Sequence, residues 1–577
     1  MARTVNIGAQ SFEDMRRHGD FLVDKTSFLT DWWNARDQIT LICRPRRFGK
    51  TLTLDMVRCF LSLDFSGRGE ELFGGLNVWK DEHMRDLQGT VPVVSLSFAN
   101  CKADTLDESL ASMKQTIRIA VRDHDYLRDS NKINDDDRAL LGRVSDNMDN
   151  VTATNCVGQL CSMLLKHWGT MPVVLLDEYD TPMQEAWRAG FWEEMSSFIR
   201  RLFNATFKTN PALGRGLVTG ITRVASESIF SDMNNPAVVT TTSTKYATYF
   251  GFTEEEVARA LEEFGLCDRM KDVRNWYDGF TFGREKGIYN PWSITSFLDE
   301  GVLDAYWTNS SSNALVSDLV RTGGPRLKED FETLLNGGTI TKKVDERVHF
   351  RRLYTSPDAL WSLLLSTGYL RVVQQLPSAS TRRKLILAIT NQEVASAFDA
   401  LVSDWFAESG ESYGEFCRAL LNRDPEAMNR YLGEVTRECV SSFDAGVRVS
   451  ETGEPERFYH GLVLGMLVEL RDRYSVESNR ESGLGRYDVA LVPLDGPNGA
   501  DPAFIIEFKV FSSRNGENTL EDTVARALDQ IERKDYARGL VERGIDPKRI
   551  VCCGTGFRGK DVLAELREVG ESCAGRA

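Results

Sequence analysis

The chain has no apolar run long enough to cross a bilayer. The stretch Gly461–Val468 is apolar but short, and it is followed by Glu469, whereas a membrane helix needs about 20 apolar residues. Residues Met1–Asp20 mix charges without an apolar segment, so we expect no secretory signal. The sequence therefore predicts no membrane partner.

Paired cysteine spacings are also missing. The 11 cysteines are scattered, without the short intervals of a metal site. Cys552 and Cys553 are adjacent in a predicted strand, where buried thiols are the favoured interpretation. An odd, dispersed number of cysteines suits a reducing compartment. We therefore expect an intracellular protein, cytoplasmic by default.

Positive charge is in the minority. The net charge of −15 argues against a globally basic nucleic-acid coat and leaves room only for a local basic surface. At 577 residues the chain is too long for one core and predicts two to four domains. No internal repeat and no long linker rich in proline, glycine or serine marks the boundaries.

A strand, a tight turn and a helix follow one another early in the chain. Gln38–Cys43 is apolar, and Arg44-Pro-Arg-Arg-Phe-Gly-Lys-Thr51 leads into a helix-like stretch. Backbone N–H groups at such a turn receive phosphate oxygens, Lys50 supplies positive charge, and the Thr51 hydroxyl can bind Mg²⁺. The predicted nucleotide-binding residues of this Walker A-type loop are Arg47, Phe48, Gly49, Lys50, Thr51 and Leu52.

This loop departs from the general phosphate-loop pattern. Glycine is expected where the chain has Arg44, and Pro45 stiffens the turn. The alternative interpretation is a basic turn between a strand and a helix, in which Arg44, Arg46 and Arg47 form a solvated or nucleic-acid-facing patch.

A second motif favours the nucleotide interpretation. In Met171-Pro-Val-Val-Leu-Leu-Asp-Glu-Tyr-Asp180 an apolar, strand-like run ends in two carboxylates. At such a Walker B-type strand we expect Asp177 to hold Mg²⁺ and Glu178 to polarise the attacking water. The two motifs occur in the order that an ATP site requires, so the sequence predicts ATP binding.

A further strand-like segment, Gly216–Thr219, is followed by a polar turn. Thr219 or Thr222 could sense the γ-phosphate there, and Arg223 could stabilise transferred charge in cis or across a subunit boundary. A purely structural turn is the equal alternative.

The C-terminal third contains a second group of charged residues. Asp488 begins one predicted strand, and Ala503-Phe-Ile-Ile-Glu507-Phe-Lys509-Val forms another, so a hairpin is expected. The period of two places Glu507 and Lys509 on one face. Asp488 and Glu507 can bind Mg²⁺ or Mn²⁺, while Lys509 orients water or stabilises charge on a phosphate.

Two weaker candidates accompany this group. Glu456, on a predicted helix, could supply a further carboxylate, and Gln530, on a later helix, could face the site. His460 is expected to be a packed helix residue. The alternative to a nuclease core is an amphipathic hairpin that exposes its acidic and basic side chains.

The alternation of elements divides the chain into three predicted regions. Residues 1–245 read as an α/β phosphate-loop domain with a parallel sheet, and 246–395 as a helical lid or middle region. Residues 396–577 read as an α/β nuclease-like domain with leading helices.

Several motifs together resemble a family that pairs an AAA-ATPase-like N-terminal domain with a C-terminal nuclease domain of the PD-(D/E)XK type, which has a restriction-endonuclease-like fold. The resemblance spans nearly the whole chain. The matching stretches are Phe21–Thr26, Arg44–Thr51, Leu175–Asp180, Gly220–Val224, Trp276–Phe280, Tyr289–Trp292, Ser366–Leu370, Ser478–Ser482, Gly485–Asp488 and Ile505–Lys509.

The resemblance carries its own expectations. Arginine at position 44 is normal in that family, so the departure no longer counts against the loop. The family implies ATP binding by Gly49, Lys50 and Thr51, with Asp177 and Glu178 at the hydrolytic centre. It implies Asp488, Glu507 and Lys509 as the nuclease triad. Asp24 and Lys25 match a further motif, for which we expect a bracing role.

The leading hypothesis is an ATP-binding and ATP-hydrolysing protein whose nucleotide state regulates a metal-dependent phosphodiesterase acting on DNA or RNA. The first alternative is a nucleotide-driven switch or scaffold with a non-cleaving nuclease-like domain that binds nucleic acid or a partner. The second is an immunity or mobile-element factor that acts as a homo-oligomer, with Arg223 completing the ATP site of a neighbouring subunit.

Overall fold

The computed structural model describes most of the chain, which forms two compact units. One unit comprises Met1–Leu319 and Thr333–Ala397, and the other comprises Val320–Glu332 and Phe398–Ala577. The described residues are 2–224, 236–310, 325–335, 337–345, 347–348, 356–377, 383–398, 412–441, 463, 467, 470, 472–478, 481–482, 485–496, 499–512, 516–558 and 561–569.

A five-stranded parallel sheet lies at the centre of the first unit. The first strands of this unit are Ile39–Cys43 (β1), Val93–Ser97 (β2), Val173–Asp177 (β3), Arg215–Gly220 (β4), Arg223–Val224 (β5) and Ala237–Val239 (β6). The sheet order is β2-β3-β4-β1-β6, and every neighbouring pair is parallel. This confirms the predicted parallel α/β sheet.

Burial and strand direction indicate which edge of this sheet can bind a ligand. All residues of β1 and β3 are buried, as expected for a parallel sheet whose faces are both covered. Since β1 and β3 both pair with β4 in parallel, their carboxyl ends meet at one edge of the sheet. Ligands of open α/β sheets bind at that edge.

Several helices of the first unit begin at polar residues whose side chains cap free N–H groups. Thr105 accepts from the N–H of Glu108, and Thr253 and Glu256 form a capping box. The helices are Phe12–His18 (α1), Ser27–Ala35 (α2), Lys50–Leu61 (α3), Gly69–Phe73 (α4), Glu82–Leu87 (α5), Leu106–Arg122 (α6), Asp135–Arg143 (α7), Asn150–Trp168 (α8), Thr181–Ala189 (α9), Trp192–Phe203 (α10), Glu254–Glu263 (α11), Met270–Tyr277 (α12), Pro291–Glu300 (α13) and Tyr306–Asn309 (α14).

The region 246–395 contains strands as well as the expected helices. Phe252–Thr253 (β7), Asp278–Phe282 (β8) and Glu285–Tyr289 (β9) form one sheet in the order β7-β9-β8. The strands Ile340–Val344 (β10), Arg347–Val348 (β11), Leu370–Leu376 (β12) and Arg383–Ile389 (β13) follow, and β10-β13-β12 form another sheet while β11 pairs with β5. Helices Pro325–Leu335 (α15) and Pro357–Ser366 (α16) lie among these strands in sequence.

The hairpin of β8 and β9 shows why these strands are difficult to predict from the sequence. Their connection is only Gly283-Arg284, and Gly283 adopts a φ of 62° that a tight turn requires. Phe280 and Phe282 are buried, so the aromatic residues of this segment belong to a packed strand and not to a helix of the predicted helical region.

A five-stranded mixed sheet forms the core of the second unit. Its strands, with two short ones outside it, are Tyr474–Ser478 (β14), Glu481–Ser482 (β15), Gly485–Arg486 (β16), Val489–Pro493 (β17), Ala503–Val510 (β18), Ile550–Arg558 (β19) and Asp561–Glu568 (β20). The order is β14-β17-β18-β19-β20, with β18 and β19 parallel. The antiparallel pairing of β17 with β18 confirms the predicted hairpin.

Helices cover the two faces of this sheet. They are Ser412–Leu421 (α17), Pro425–Ser441 (α18), Leu520–Arg533 (α19) and Arg538–Glu542 (α20). One face of β18 packs Phe504 and Ile506 in a cluster with Leu420 of α17, and the other packs Ile505 with Leu528 of α19. Cys552 and Cys553 are buried in β19, as predicted.

Candidate active sites in the two units

The predicted phosphate loop, Arg44–Gly49, connects the end of β1 to the start of α3. Gly49 precedes the helix at a φ of 75°, and Arg47 lies at a φ of 64°. Glycine adopts this left-handed conformation readily, whereas a non-glycine residue pays about 1 kcal/mol or more. The loop therefore delivers the free N–H groups of α3 to one place, which is the geometry of an anion site.

Arg44 explains the departure from the general loop pattern. Its side chain is fully buried. The guanidinium donates to the carbonyl of Thr240, which follows β6, and lies 4.3 Å from the ring centroid of Phe282 in β8. Arginine at this position therefore joins the loop to the edge of the main sheet and to the β8–β9 hairpin.

Lys50 is buried and points back at its own loop. Its Nζ donates to the carbonyl oxygens of Arg44, at 3.0 Å, and Pro45, at 2.7 Å. Burial lowers the pKa of the Lys50 amine, an effect that Asp177 and Glu178 oppose. The ammonium is thus held inside the loop, close to two carboxylates.

The carboxyl end of β3 meets this loop as the sequence predicts. The Thr51 hydroxyl donates to Oδ2 of Asp177 at 2.6 Å, and the Thr219 hydroxyl donates to Oδ1 of the same carboxylate. Glu178 follows at a φ of 50°, and its Oε2 accepts from the Thr181 hydroxyl at 3.1 Å. A hydroxyl beside a carboxylate offers oxygen ligands of the kind that Mg²⁺ binds.

A cavity of about 470 Å³ opens beside the loop, a size in the usual range for small-molecule sites. Its lining includes all six predicted nucleotide-binding residues of the loop and Glu178. Thr219 and Arg223 are not among the lining residues. Asp177 is not among them either. The Thr219 hydroxyl donates to the Asp177 carboxylate, and Arg223 lines a separate small cavity with Thr240 and Ser362.

Thr222 and the Asp24-Lys25 pair have structural partners. The Thr222 hydroxyl donates to Asp180 at 2.8 Å. Asp24 accepts from the hydroxyl of Thr26, and Lys25 donates to Oε2 of Glu256, both at 2.6 Å. The Lys25 contact joins the N-terminal segment to α11.

Three residues that contact the loop were not singled out by the sequence as functional. Trp292 lines the cavity, with the Arg47 guanidinium 4.0 Å from its ring centroid. Asn290 and Trp307 both donate to the carbonyl of Arg46. Aromatic residues at turns usually fill cores, so only the tertiary contacts distinguish these side chains.

The second group of charged residues assembles at β17 and β18. Glu507 is 1% exposed, and its Oε1 accepts from Nζ of Lys509 at 2.9 Å and from the amide of Gln530 in α19. Asp488, just before β17, accepts from the N–H of Phe508 at 2.8 Å. The structure thus brings together all four predicted residues that it describes.

Glu507 has the features of a metal ligand. Burial, together with the nearby Asp488 carboxylate, raises the pKa of Glu507 to about 7, although Lys509 opposes the shift. Its Oε2 is buried and accepts no hydrogen bond from any described residue. An unsatisfied buried carboxylate oxygen next to a second carboxylate fits a divalent cation.

Glu456, a predicted residue of this site, lies outside the described residues, as does His460, for which we expected a packed helix position. Within the described ranges, no group of three or more His, Cys, Asp or Glu side chains is arranged to hold a metal ion. The described part of the site therefore offers two carboxylates, Asp488 and Glu507.

Among the described residues of the whole chain, no helix is both long and apolar enough to span a membrane.

Comparison with known proteins yields two family matches and one relative. Residues 6–230 match the model described as predicted AAA-ATPase, and residues 454–565 match that of the PD-(D/E)XK nuclease superfamily. The chain is 27% identical over 574 residues to an uncharacterized protein in the vnfD 5' region of Azotobacter chroococcum mcd 1, covering 93% of this chain and 94% of that one.

Proposed function

Because the chain carries an AAA-ATPase-like domain and a PD-(D/E)XK nuclease-superfamily domain, we propose that it binds and hydrolyses ATP and uses the nucleotide state to regulate metal-dependent cleavage of nucleic acid. The observation that carries the proposal is the presence of two assembled constellations in one chain. Thr51 contacts Asp177 at the first, and Glu507 contacts Lys509 and Gln530 at the second.

At the first site the loop binds the phosphates and the end of β3 serves hydrolysis. Free N–H groups at the start of α3 and the Lys50 ammonium receive phosphate oxygens. Thr51 and Asp177 would hold Mg²⁺, which would neutralise charge on the phosphates. Glu178, which lines the cavity, orients and polarises the attacking water.

At the second site the carboxylates of Asp488 and Glu507 hold Mg²⁺ or Mn²⁺. A cation held by these carboxylates would supply an activated water and would polarise the scissile phosphodiester. Lys509 stabilises negative charge at the phosphate, and Gln530 fixes the Glu507 carboxylate through its amide N–H. With a net charge of −15, we expect the nucleic acid to meet a local surface rather than the whole protein.

The test is cleavage of labelled single- and double-stranded DNA and RNA in Mg²⁺ or Mn²⁺, with and without ATP. The full-length protein is compared with Lys50→Ala and Glu507→Ala. Matched controls are Lys80→Ala and Glu532→Ala, which remove the same side chains from exposed or half-exposed positions. ATP binding and phosphate release are measured on the same samples.

Each outcome has a defined meaning. Metal-dependent cutting that Glu507→Ala abolishes and Glu532→Ala preserves establishes the nuclease. A change in cutting on ATP addition that disappears in Lys50→Ala establishes the regulation. ATP hydrolysis without cutting under any condition would replace the proposal by a nucleotide-driven switch with a non-cleaving domain.

A further inference from the structure

The outer side of the phosphate loop is held by residues from beyond the main sheet. The carbonyl of Arg46 accepts from Nε1 of Trp307, at 3.1 Å, and from the amide of Asn290, at 3.4 Å. Trp307 is 4% exposed, so its indole N–H is shielded from water and donates its hydrogen bond to this carbonyl instead. Two donors therefore converge on one oxygen of the loop.

A fixed carbonyl also fixes the N–H on the other side of its peptide. The peptide unit is planar and trans, so its C=O and N–H point in opposite directions. When Trp307 and Asn290 hold the Arg46 carbonyl, the N–H of Arg47 is directed away from them. Arg46 and Arg47 both line the cavity on that loop, where a phosphate would need N–H donors.

The same peptide is conformationally strained, which makes external support necessary. Arg47 has a φ of 64°, a conformation that costs a non-glycine residue free energy and persists only when its surroundings impose it. The Arg47 guanidinium lies 4.0 Å from the ring centroid of Trp292. Trp292 follows Asn290 by two residues, so one short segment contacts both the carbonyl and the side chain of this part of the loop.

Trp307 is itself held in place. Its backbone N–H donates to Oε1 of Glu393 at 2.5 Å, and Oε2 of Glu393 accepts from the Ser293 hydroxyl at 2.9 Å. Its ring packs against Phe280 and Tyr369, with ring centroids 5.6 Å apart in each case. A donor fixed in this way can determine the orientation of a loop peptide rather than follow it.

We propose that Trp307 and Asn290 are positioning residues for phosphate binding: they preset the Arg46–Arg47 peptide so that the Arg47 N–H faces the phosphates of the nucleotide. This inference rests on the proposed function, since it requires the loop to bind a nucleoside triphosphate. The residues touch the loop and not the nucleotide, so their effect passes through the loop backbone.

The test uses Trp307→Phe, which removes the N–H donor and keeps an aromatic ring against Phe280 and Tyr369. A second variant, Asn290→Asp, retains the oxygen that caps α13 by accepting from the N–H of Trp292 and removes the amide donor. We expect each to weaken ATP binding about three- to tenfold, the usual effect of one hydrogen bond. The double variant should lose more than either single variant.

Inorganic triphosphate distinguishes positioning from general damage. It binds through phosphates alone, so its ability to displace a fluorescent ATP analogue should fall by the same factor as ATP affinity. The matched control is Trp32→Phe. Trp32 is fully buried and donates its indole N–H to Thr40 at 3.1 Å, away from the loop. This control should leave both affinities unchanged.

The outcomes separate this inference from the proposed function. If wild type binds ATP and Lys50→Ala does not, while Trp307→Phe and Asn290→Asp both bind ATP and triphosphate as wild type does, the positioning role is overturned and ATP binding stands. Loss of ATP affinity with unchanged triphosphate affinity, or an equal loss in Trp32→Phe, also overturns it. If wild type binds no ATP, both proposals fail.

Discussion

The hydroxyl of Thr51 donates a hydrogen bond to the carboxylate of Asp177 at 2.6 Å. Thr51 lies at the start of α3 and Asp177 ends β3, so this contact joins the two motifs of the proposed ATP site. Magnesium would bind between oxygen atoms that already lie side by side. The contact makes the Thr51 hydroxyl a specific target for substitution.

Thr51→Ala should lower Mg²⁺-dependent ATP hydrolysis by about two orders of magnitude, because metal assistance contributes several kcal/mol to the reaction. Thr51→Ser keeps the hydroxyl and should stay within a few-fold of wild type. Phosphate release over a Mg²⁺ titration measures both. Equal rates in Ala and Ser variants would contradict the assigned role.

Glu178→Gln should leave ATP affinity unchanged and reduce hydrolysis by about 10²- to 10⁴-fold, the usual contribution of a general base. Glu185→Gln is the matched control, because Glu185 lines the same cavity and pairs with Arg188 instead. The measurement is nucleotide binding beside single-turnover hydrolysis. A Glu178→Gln protein that hydrolyses ATP at the wild-type rate would rule out Glu178 as the base.

Arg44→Gly restores the general loop pattern, yet it should destabilise the first unit by about 2–4 kcal/mol. The change removes a buried guanidinium that contacts Thr240 and Phe282 and leaves a cavity and a carbonyl without its donor. Arg46→Gly makes the same substitution at an exposed side chain and should cost less. Thermal unfolding of both variants provides the comparison, and a smaller loss at position 44 than at 46 would refute the prediction.

Glu393→Gln should change how stability depends on pH. Burial raises the pKa of Glu393 from its ordinary value of 4.5 to about 7, despite hydrogen bonds from Trp307 and Ser293. A carboxyl with a raised folded-state pKa contributes stability that is present below the unfolded pKa and is lost as the pH rises through the folded pKa. Wild type should therefore lose stability between about pH 4.5 and 7, by at most ~3 kcal/mol from this group.

Glutamine cannot ionise, so the Glu393→Gln protein should gain thermal stability relative to wild type as the pH rises from 5 to 8. Its carbonyl can accept from the Trp307 N–H and its amide can donate to the Ser293 hydroxyl. Glu255→Gln, at an exposed position of α11, should show no such trend. A difference between Glu393→Gln and wild type that does not vary with pH would count against the prediction.

Gln530→Ala should lower metal-dependent cleavage about 10- to 100-fold, the usual effect of removing a residue that orients a metal ligand. The Gln530 amide donates to Glu507, and without it the carboxylate loses one of its hydrogen-bond donors. Asp529→Ala, exposed on the same helix, is the control. Cleavage rates over a Mn²⁺ titration measure the effect, and wild-type rates in Gln530→Ala would exclude this positioning role.

Local patterns predicted much of the fold and of both candidate sites. An apolar run before Gly49-Lys50-Thr51 predicts a strand, a turn and a helix, because backbone geometry and residue preferences act over a few residues. The alternation around Glu507 and Lys509 likewise predicts a strand with both side chains on one face. The tertiary structure places Gln530 on Glu507, as the sequence suggested.

The sequence by itself determined the parallel sheet of the first unit, the loop before α3, the two carboxylates at the end of β3 and the β17–β18 hairpin, since each depends on neighbouring residues. Only the tertiary structure decided the roles of Arg44, Trp307 and Glu393. Trp307 and the Arg46 carbonyl are 261 residues apart in the chain, and Arg44 and Thr240 are 196 apart. Contacts over such separations depend on how whole elements pack, and no local pattern in a single sequence encodes them.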